Sequence, residues 1–289
     1  MINNEWDNSH FPLIPGHEVI GEVVAIGVAV KNVKVGDKVG VGWFGESCMS
    51  CYQCMDGSHH LCRDRQPTIH SNNGGFADYV RAHWAWAIPL PDGINLSKAG
   101  PLLCGGLTVF NPMIAAGVLP TDIVGVIGIG GLGHLAVKFL KHWGCEVVAF
   151  SSSENKRAQI LAMGASRVVN SRSKEDLYTV AGQLDFIINT TNVNLDWEAY
   201  LIALAPKGKF FNVGMIMEPM PIPSTFLIDG EKVVGGSPVG SPRLASKMLE
   251  FCVRHNIYPD VEEFPMADVN AAIAHLEAGK ARFRVVLKA

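Results

Sequence analysis

Four cysteines, Cys48, Cys51, Cys54 and Cys62, follow the spacing C-x2-C-x2-C-x7-C. Thiolates at these intervals on a tight loop can converge on one tetrahedral zinc with no open position, which is the arrangement of a structural site. Such a site contributes on the order of 10 kcal/mol to a small fold, enough to order the otherwise polar lobe 45–64. His59 and His60 lie inside this loop and read as surface residues, because four sulfurs already fill the shell. A second chemical signature is Gly128-Ile129-Gly130-Gly131-Leu132-Gly133, a G-x-G-x-x-G turn. It follows the apolar run 123–127 and precedes a helical stripe of Leu132, Ala136, Phe139, Leu140 and Trp143. Strand, glycine turn and helix in this order are the context a dinucleotide pyrophosphate requires. The first glycine permits the turn, the second lets backbone approach the phosphates, and the third lets helix pack on strand.

The elements that must position these residues fall into two groups. Residues 19–30 read as a strand bent at Gly21 and Gly27, and 33–41 as a turn and a further strand into Trp43. Residues 74–80 read as a turn entering a strand. Short strands with glycine punctuation predict a small antiparallel barrel or sandwich. Beyond the fingerprint, strands are expected at 146–150, 167–169, 185–189, 209–213 and 232–235. Helices are expected at 154–163, 174–181 and 196–204, and a loop at 217–222. Alternating strands and helices predict a parallel, doubly wound α/β sheet of six strands. In the tail, Leu244, Met248, Leu249 and Cys252 form one helical stripe, Val269, Ala272, Ile273 and Leu276 another, and 284–287 a closing strand.

The end of the second strand of the sheet bears on cofactor choice. An NAD site places Asp or Glu there to bind the ribose 2′-hydroxyl. This chain has Ser151, Ser152 and Ser153, followed by Lys156 and Arg157, a set suited to a 2′-phosphate. Glu154 is the rival, as an acid displaced by a few positions, and Ser153 acting as a helix cap is compatible with either cofactor. The expectation is NADP(H).

With 289 residues, 48% of them hydrophobic, and a net charge of −3, the chain has material for two domains and no basic surface for nucleic acid. The uncharged stretch 99–121 is long enough for a membrane span, but Pro101, Pro112 and Pro120 favour a buried turn-and-helix connection. No charged n-region precedes an apolar segment at Met1. The expectation is a soluble, cytoplasmic protein without a membrane partner.

Taken together, the sequence resembles the zinc-dependent medium-chain alcohol dehydrogenases, in particular the cinnamyl-alcohol-dehydrogenase-like, NADP-dependent aldehyde reductases. The resemblance covers essentially the whole chain. It is carried by Pro15-Gly16-His17-Glu18-Val19-Ile20-Gly21, the four-cysteine lobe, Gly74-Gly75-Phe76-Ala77-Asp78-Tyr79-Val80, Pro101-Leu102-Leu103-Cys104-Gly105-Gly106-Leu107-Thr108, the glycine turn and the serine run. It implies a Rossmann doubly wound parallel sheet plus a GroES-like β-barrel catalytic domain. The domains expected are 1–105 with the zinc lobe, 106–239 for NADP, and 240–289 returning to the first. It also implies a homodimer through the nucleotide domains and a small-molecule alcohol or aldehyde substrate. By position, His17 and Cys104 correspond to catalytic zinc ligands, with Glu18 as an occasional fourth. Thr108, Thr190, Gly214, Gly236, Ser237 and Pro238 correspond to cofactor contacts, and Trp6 to the substrate channel. The resemblance also calls for a cysteine ligand ahead of His17, with a hydroxyl of the proton relay beside it. No cysteine precedes Cys48, and the first barrel strands have no counterpart, so the expectation is an N-terminally truncated dehydrogenase with an incomplete catalytic site and little turnover. Two rivals are a zinc-free quinone oxidoreductase relative and a non-catalytic, zinc-stabilised nucleotide-binding protein.

Overall fold

A computed structural model describes the chain except for Met1, Glu5, Trp6, Asn8 and residues 71–73. Contacts divide it into two units, Met1–Leu107 with Val239–Ala289, and Thr108–Pro238.

In the first unit, β1 (Val19–Glu22) pairs antiparallel with β2 (Lys38–Val41), Val19 opposite Val41 and Glu22 opposite Lys38. The strand predicted over 19–30 therefore stops at Glu22. Val23 still exchanges two hydrogen bonds with the turn, from its N–H to Asp37 and to its carbonyl from Gly36, but the chain then turns, with Val30 N–H bonded to Gly27. Val24, Ile26 and Val28 lie exposed, so no apolar burial holds this stretch as a strand. Short β3 (Phe44–Glu46) and β4 (Gln66–Pro67) pair antiparallel, and β5 (Ile88–Pro89) extends the first sheet beyond β2.

The strand expected at 74–80 is absent. Instead, Gly75 N–H bonds to Gly16 O at 2.9 Å and Phe76 N–H to Pro15 O at 2.9 Å, which pins the chain just ahead of His17. Glycine is required on both sides of this contact. A Cβ at Gly74 would lie 1.8 Å from the Ile14 carbonyl oxygen, and one at Gly16, whose φ is +92°, would lie 2.5 Å from the Phe76 ring.

The second unit holds the doubly wound sheet. Its strands are β6 (Ile123–Ile127), β7 (Glu146–Ser151), β8 (Arg167–Asn170), β9 (Leu184–Asn189), β10 (Leu204–Asn212) and β11 (Val233–Gly236). They lie in the order β11-β10-β9-β6-β7-β8 and every pair is parallel. The order reverses between β6 and β9, the crevice where open α/β sheets bind ligands. The helix Gly133–Trp143 buries Leu135, Ala136, Val137, Phe139 and Leu140, and Gly144 at φ 116° closes it. Burial of each large apolar side chain is worth about 2 kcal/mol. The helix predicted at 154–163 begins as a 3-10 turn, Glu154–Lys156, before the α-helix Arg157–Ala162. A short helix, Ser224–Ile228, was not foreseen.

The tail supplies the helix Pro242–His255, capped by the Ser241 hydroxyl, which accepts from Leu244 N–H. Its buried stripe is Ala245, Met248, Leu249 and Cys252, with Ala245 in place of the expected Leu244. The chain closes with β12 (Val261–Pro265) and β13 (Arg284–Lys288), paired in parallel. Among the described residues no single helix is long and apolar enough to cross a membrane. Residues 99–121 form the expected buried connection, the 3-10 turn Gly100–Leu103 and the helix Gly105–Ala116.

Gly74→Ala should destabilise the first unit by about 2 kcal/mol through backbone overpacking, read as a lower urea midpoint. An unchanged midpoint would show that the contact with Ile14 yields at no cost.

Candidate metal centres and dinucleotide site

The four lobe cysteines converge, with every pair of sulfurs within 4.8 Å. Cys48 Sγ lies 3.5 Å from Cys62 Sγ and 3.9 Å from Cys54 Sγ. A tetrahedron with Zn–S bonds of about 2.3 Å has edges of about 3.8 Å, so the sulfurs already stand where a zinc would hold them. Met49 takes a left-handed conformation, φ 63°, at the loop's tightest point. Hydrogen bonds from the Ser50 and Cys51 backbone hold the Cys48 thiol down to about 6, favouring the thiolate a metal needs. Burial pushes Cys54 up to about 12. The lobe's histidines are not both surface residues. His60 is only 9% exposed, and its buried Nδ1 has no hydrogen-bond partner.

A second cluster draws on residues far apart in sequence. Ligand atoms of His17, Glu18 and Cys104 lie within 4.8 Å of one another. His17 is set by the glycine contact described above, Glu18 leads into β1, and Cys104 stands between the 3-10 turn Gly100–Leu103 and the helix Gly105–Ala116. Burial lowers the His17 pKa, opposed by Glu18 and aided by Arg284, a shift that favours the neutral form a metal ligand needs. Its ring meets Trp43 edge-on at 4.8 Å. The set fits a metal in donor chemistry, with one qualification: Glu18 is already engaged, by Arg284 through an ion pair and by Gly105 N–H at 3.2 Å. Burial alone would lower the Arg284 pKa, but the adjoining Glu18 raises it. Sequence reasoning missed Arg284, whose role depends on a contact across 266 residues. It also missed Trp43.

In the second unit the fingerprint glycines differ in their surroundings. Gly128 has φ +84°, and a Cβ at Gly133 would lie 1.9 Å from Gly128 O. A Cβ at Gly130 would meet nothing within 4 Å. Ile129 is buried, and Gly131 and Leu132 are half-buried. Thr190 donates to Ile127 O and Gly128 O, so its hydroxyl braces the turn. Gly214 is needed because a Cβ there would lie 1.7 Å from Thr191 O.

At the end of β7, the buried Ser151 hydroxyl donates to Ser153 O and accepts from Ser153 N–H. Ser152 and Lys156 are exposed, and the Ser153 hydroxyl makes no cap hydrogen bond. Arg157, paired with Lys156 in the sequence reading, instead donates to Val168 O at 3.1 Å and stands 3.8 Å from Glu154. Thr108 is half-buried in the first turn of its helix. Asn111, in the same helix, donates to Ser237 Oγ and Pro238 O, following Gly236. Asn189, fully buried, bonds Asn212, Thr191 N–H and the Thr191 hydroxyl. Neither asparagine was singled out in the sequence, since no motif marks them. Trp6 lies outside the described residues.

Residues 1–92 match the alcohol dehydrogenase GroES-like domain, and residues 131–254 the zinc-binding dehydrogenase domain. Aldehyde reductase AdhA of Synechocystis sp. is 51% identical over 287 residues, 99% of this chain and 85% of that protein. The chain belongs to the zinc-type medium-chain alcohol dehydrogenases. Among plant members of the family, a probable cinnamyl alcohol dehydrogenase of Oryza sativa is 39% identical over 99% of this chain and 82% of its own length. Solved family structures agree. A cinnamyl alcohol dehydrogenase from Sorghum bicolor superposes with a TM-score of 0.94 at 37% identity, covering 99% of this chain and 84% of that one. A Helicobacter pylori relative, complexed with NADP(H), gives 0.88 at 33%, covering 98% and 84%. The GroES-like and Rossmann architecture read from the dehydrogenase sequence is therefore present.

Two outcomes follow for this dehydrogenase. Gly133→Ala should lower the stability of the second unit by about 2 kcal/mol, whereas Gly130→Ala should leave stability unchanged and weaken dinucleotide binding in a fluorescence titration. Equal effects of the two on stability would contradict the assigned roles. Burial also lowers the His60 pKa to about 4. Below about 6.5 the unfolded imidazole takes up a proton that the folded one refuses, so stability should fall as pH drops from about 6.5 to 4. Urea midpoints of the metal-free protein should show this loss, and His60→Leu should reduce it.

Proposed function

We propose that this chain binds NADP(H) and acts on the primary alcohol/aldehyde couple. The observation that carries the reading is the convergence of His17, Glu18 and Cys104 in the first unit. Zinc held there would supply a Lewis acid for the substrate oxygen, and the nicotinamide would supply or accept the hydride. The chain's own contribution is to present a neutral imidazole and a thiol at fixed positions, with the Trp43 ring against His17.

A catalytic zinc takes three protein ligands and keeps one open position. The donors that the described residues bring together are His17, Glu18 and Cys104, and Glu18 would have to be drawn from Arg284 to serve. A carboxylate is also a harder donor than a thiolate and holds the metal differently.

NADP(H) is favoured over NAD(H) because no acid closes β7. Ser151 shapes the turn, Ser153 keeps its hydroxyl out of a cap, and Glu154 sits by Arg157. The NADP(H) complex of the Helicobacter pylori relative supports the same choice. The family resemblance further supports a homodimer through the nucleotide-binding unit and a cytoplasmic location.

NADPH should bind at least about tenfold more tightly than NADH, the equivalent of one charge-assisted hydrogen bond. Ser151→Asp should erase that preference by setting a carboxylate near the 2′-phosphate. Aldehyde-dependent loss of NADPH absorbance should fall on Cys104→Ser. Equal or tighter NADH binding would overturn the cofactor reading, and turnover indifferent to Cys104→Ser would overturn the proposed catalytic cluster.

A further inference from the structure

At the C-terminal ends of β9 and β10, beside the point where the strand order reverses, two side-chain amides are joined head to tail. Asn189, the last residue of β9, is fully buried, and Asn212, the last of β10, is half-buried opposite it in the register. Thr191 N–H donates to Asn189 Oδ1 at 3.0 Å, and the Thr191 hydroxyl donates to the same oxygen at 2.8 Å. Asn189 Nδ2 donates to Asn212 Oδ1 at 2.8 Å, and Asn212 Nδ2 donates in turn to Gly214 O at 2.8 Å.

The direction of this series is fixed at both ends. A backbone N–H only donates, so the atom facing Thr191 is the Asn189 oxygen, and the Asn189 nitrogen must then face Asn212. Asn212 therefore turns its own oxygen to Asn189 and its nitrogen to the Gly214 carbonyl, which only accepts. No flip of either amide satisfies the same partners. The Asn189 carbonyl is used as well, accepting from Val213 N–H at 3.0 Å and Gly214 N–H at 3.2 Å. The loops after β9 and β10 are thereby locked together, with Gly214 so near that a Cβ on it would stand 1.7 Å from Thr191 O. The glycine turn joins them, since a Cβ at Gly128 would stand 2.3 Å from Thr191 Cγ2. A peptide is planar and trans, so holding Gly214 O against Asn212 turns the Met215 N–H, on the other edge, away from Asn212. Met215 itself is exposed.

A dinucleotide lies across the crevice at this reversal with one nucleotide over each half of the sheet, and its 2′-position belongs to the end of β7. The other nucleotide, which carries the nicotinamide, falls to β9 and β10. We propose that Asn212, oriented by Asn189, is a positioning residue for the nicotinamide half of the cofactor, acting through the Gly214–Met215 peptide that it holds. This rests on the reading of the second unit as an NADP(H) site. A pair that served only the fold would favour neither half of the ligand, and that difference separates the two roles.

The test measures Kd of the whole chain for NADPH and for 2′,5′-ADP, which carries the adenosine half with its 2′-phosphate and no nicotinamide. Asn212→Asp keeps the acceptor for Asn189 and loses the donor to Gly214. Asn212→Leu removes both at similar volume and without charge, so it serves where the Asp variant does not fold. Each should weaken NADPH binding about tenfold, the effect of one hydrogen bond, and leave 2′,5′-ADP binding unchanged. Unchanged NADPH affinity in the variants, or an equal loss for both ligands, would overturn the proposal. An unmodified chain that binds neither ligand would instead overturn the NADP(H) reading itself, and titrating that chain first separates the two failures.

Discussion

A carboxylate and a guanidinium, Glu18 and Arg284, meet in the first unit with 18% and 21% of their side chains exposed. Both carboxylate oxygens are engaged, one by Arg284 and the other by Gly105 N–H. The contact unites three stretches distant in sequence: the approach to β1, the start of the helix Gly105–Ala116, and the final strand β13. Removing one partner from a buried ion pair costs about 3–5 kcal/mol, because a charge is left without a counterpart. The residual exposure here reduces that figure. The pair also sets the electrostatics beside His17, whose pKa the two charges push in opposite directions. Any metal that recruits Glu18 must compete with Arg284, so the ion pair that closes the unit also limits the site.

Glycine does comparable work in both units by letting backbone approach where a side chain cannot. Next to His17, Gly74 and Gly75 admit the chain from Ile14 to Gly16, and the resulting hydrogen bonds hold the ligand in register. In the second unit Gly133 admits the carbonyl of Gly128. Gly130 differs, since its missing side chain leaves space to no protein atom. Two glycines of the fingerprint therefore serve the fold, and the packing of the protein alone does not require the third.

Much of this was legible in the amino-acid order. The sheet was readable because each strand is a short apolar run flanked by helical periodicity, and the zinc lobe because four thiols at close spacing have few other uses. The cluster of His17, Glu18 and Cys104 was reached through family resemblance, since residues separated by 87 positions carry no local signal. Strand 19–30 was misread because β-branched residues favour a strand only where a neighbour buries them, and Val24, Ile26 and Val28 are exposed. His60 was misplaced for the opposite reason: the lobe is compact enough to enclose a histidine that is not a ligand. Arg284 and Asn111 act through tertiary contacts alone, which explains why no spacing pointed to them.

The described residues bring together two candidate metal clusters with unlike donors, four thiols in one and an imidazole, a carboxylate and a thiol in the other, and the expectation is that the two bind metal unequally. Titration of the metal-free protein with Co2+, followed by thiolate-to-metal charge-transfer absorption, tests it directly. The account predicts one tight equivalent with the intense absorption of a four-thiolate site, then a weaker second with the fainter absorption of one thiolate, abolished by Cys104→Ser. A single class of site, or a second equivalent indifferent to Cys104→Ser, would contradict it.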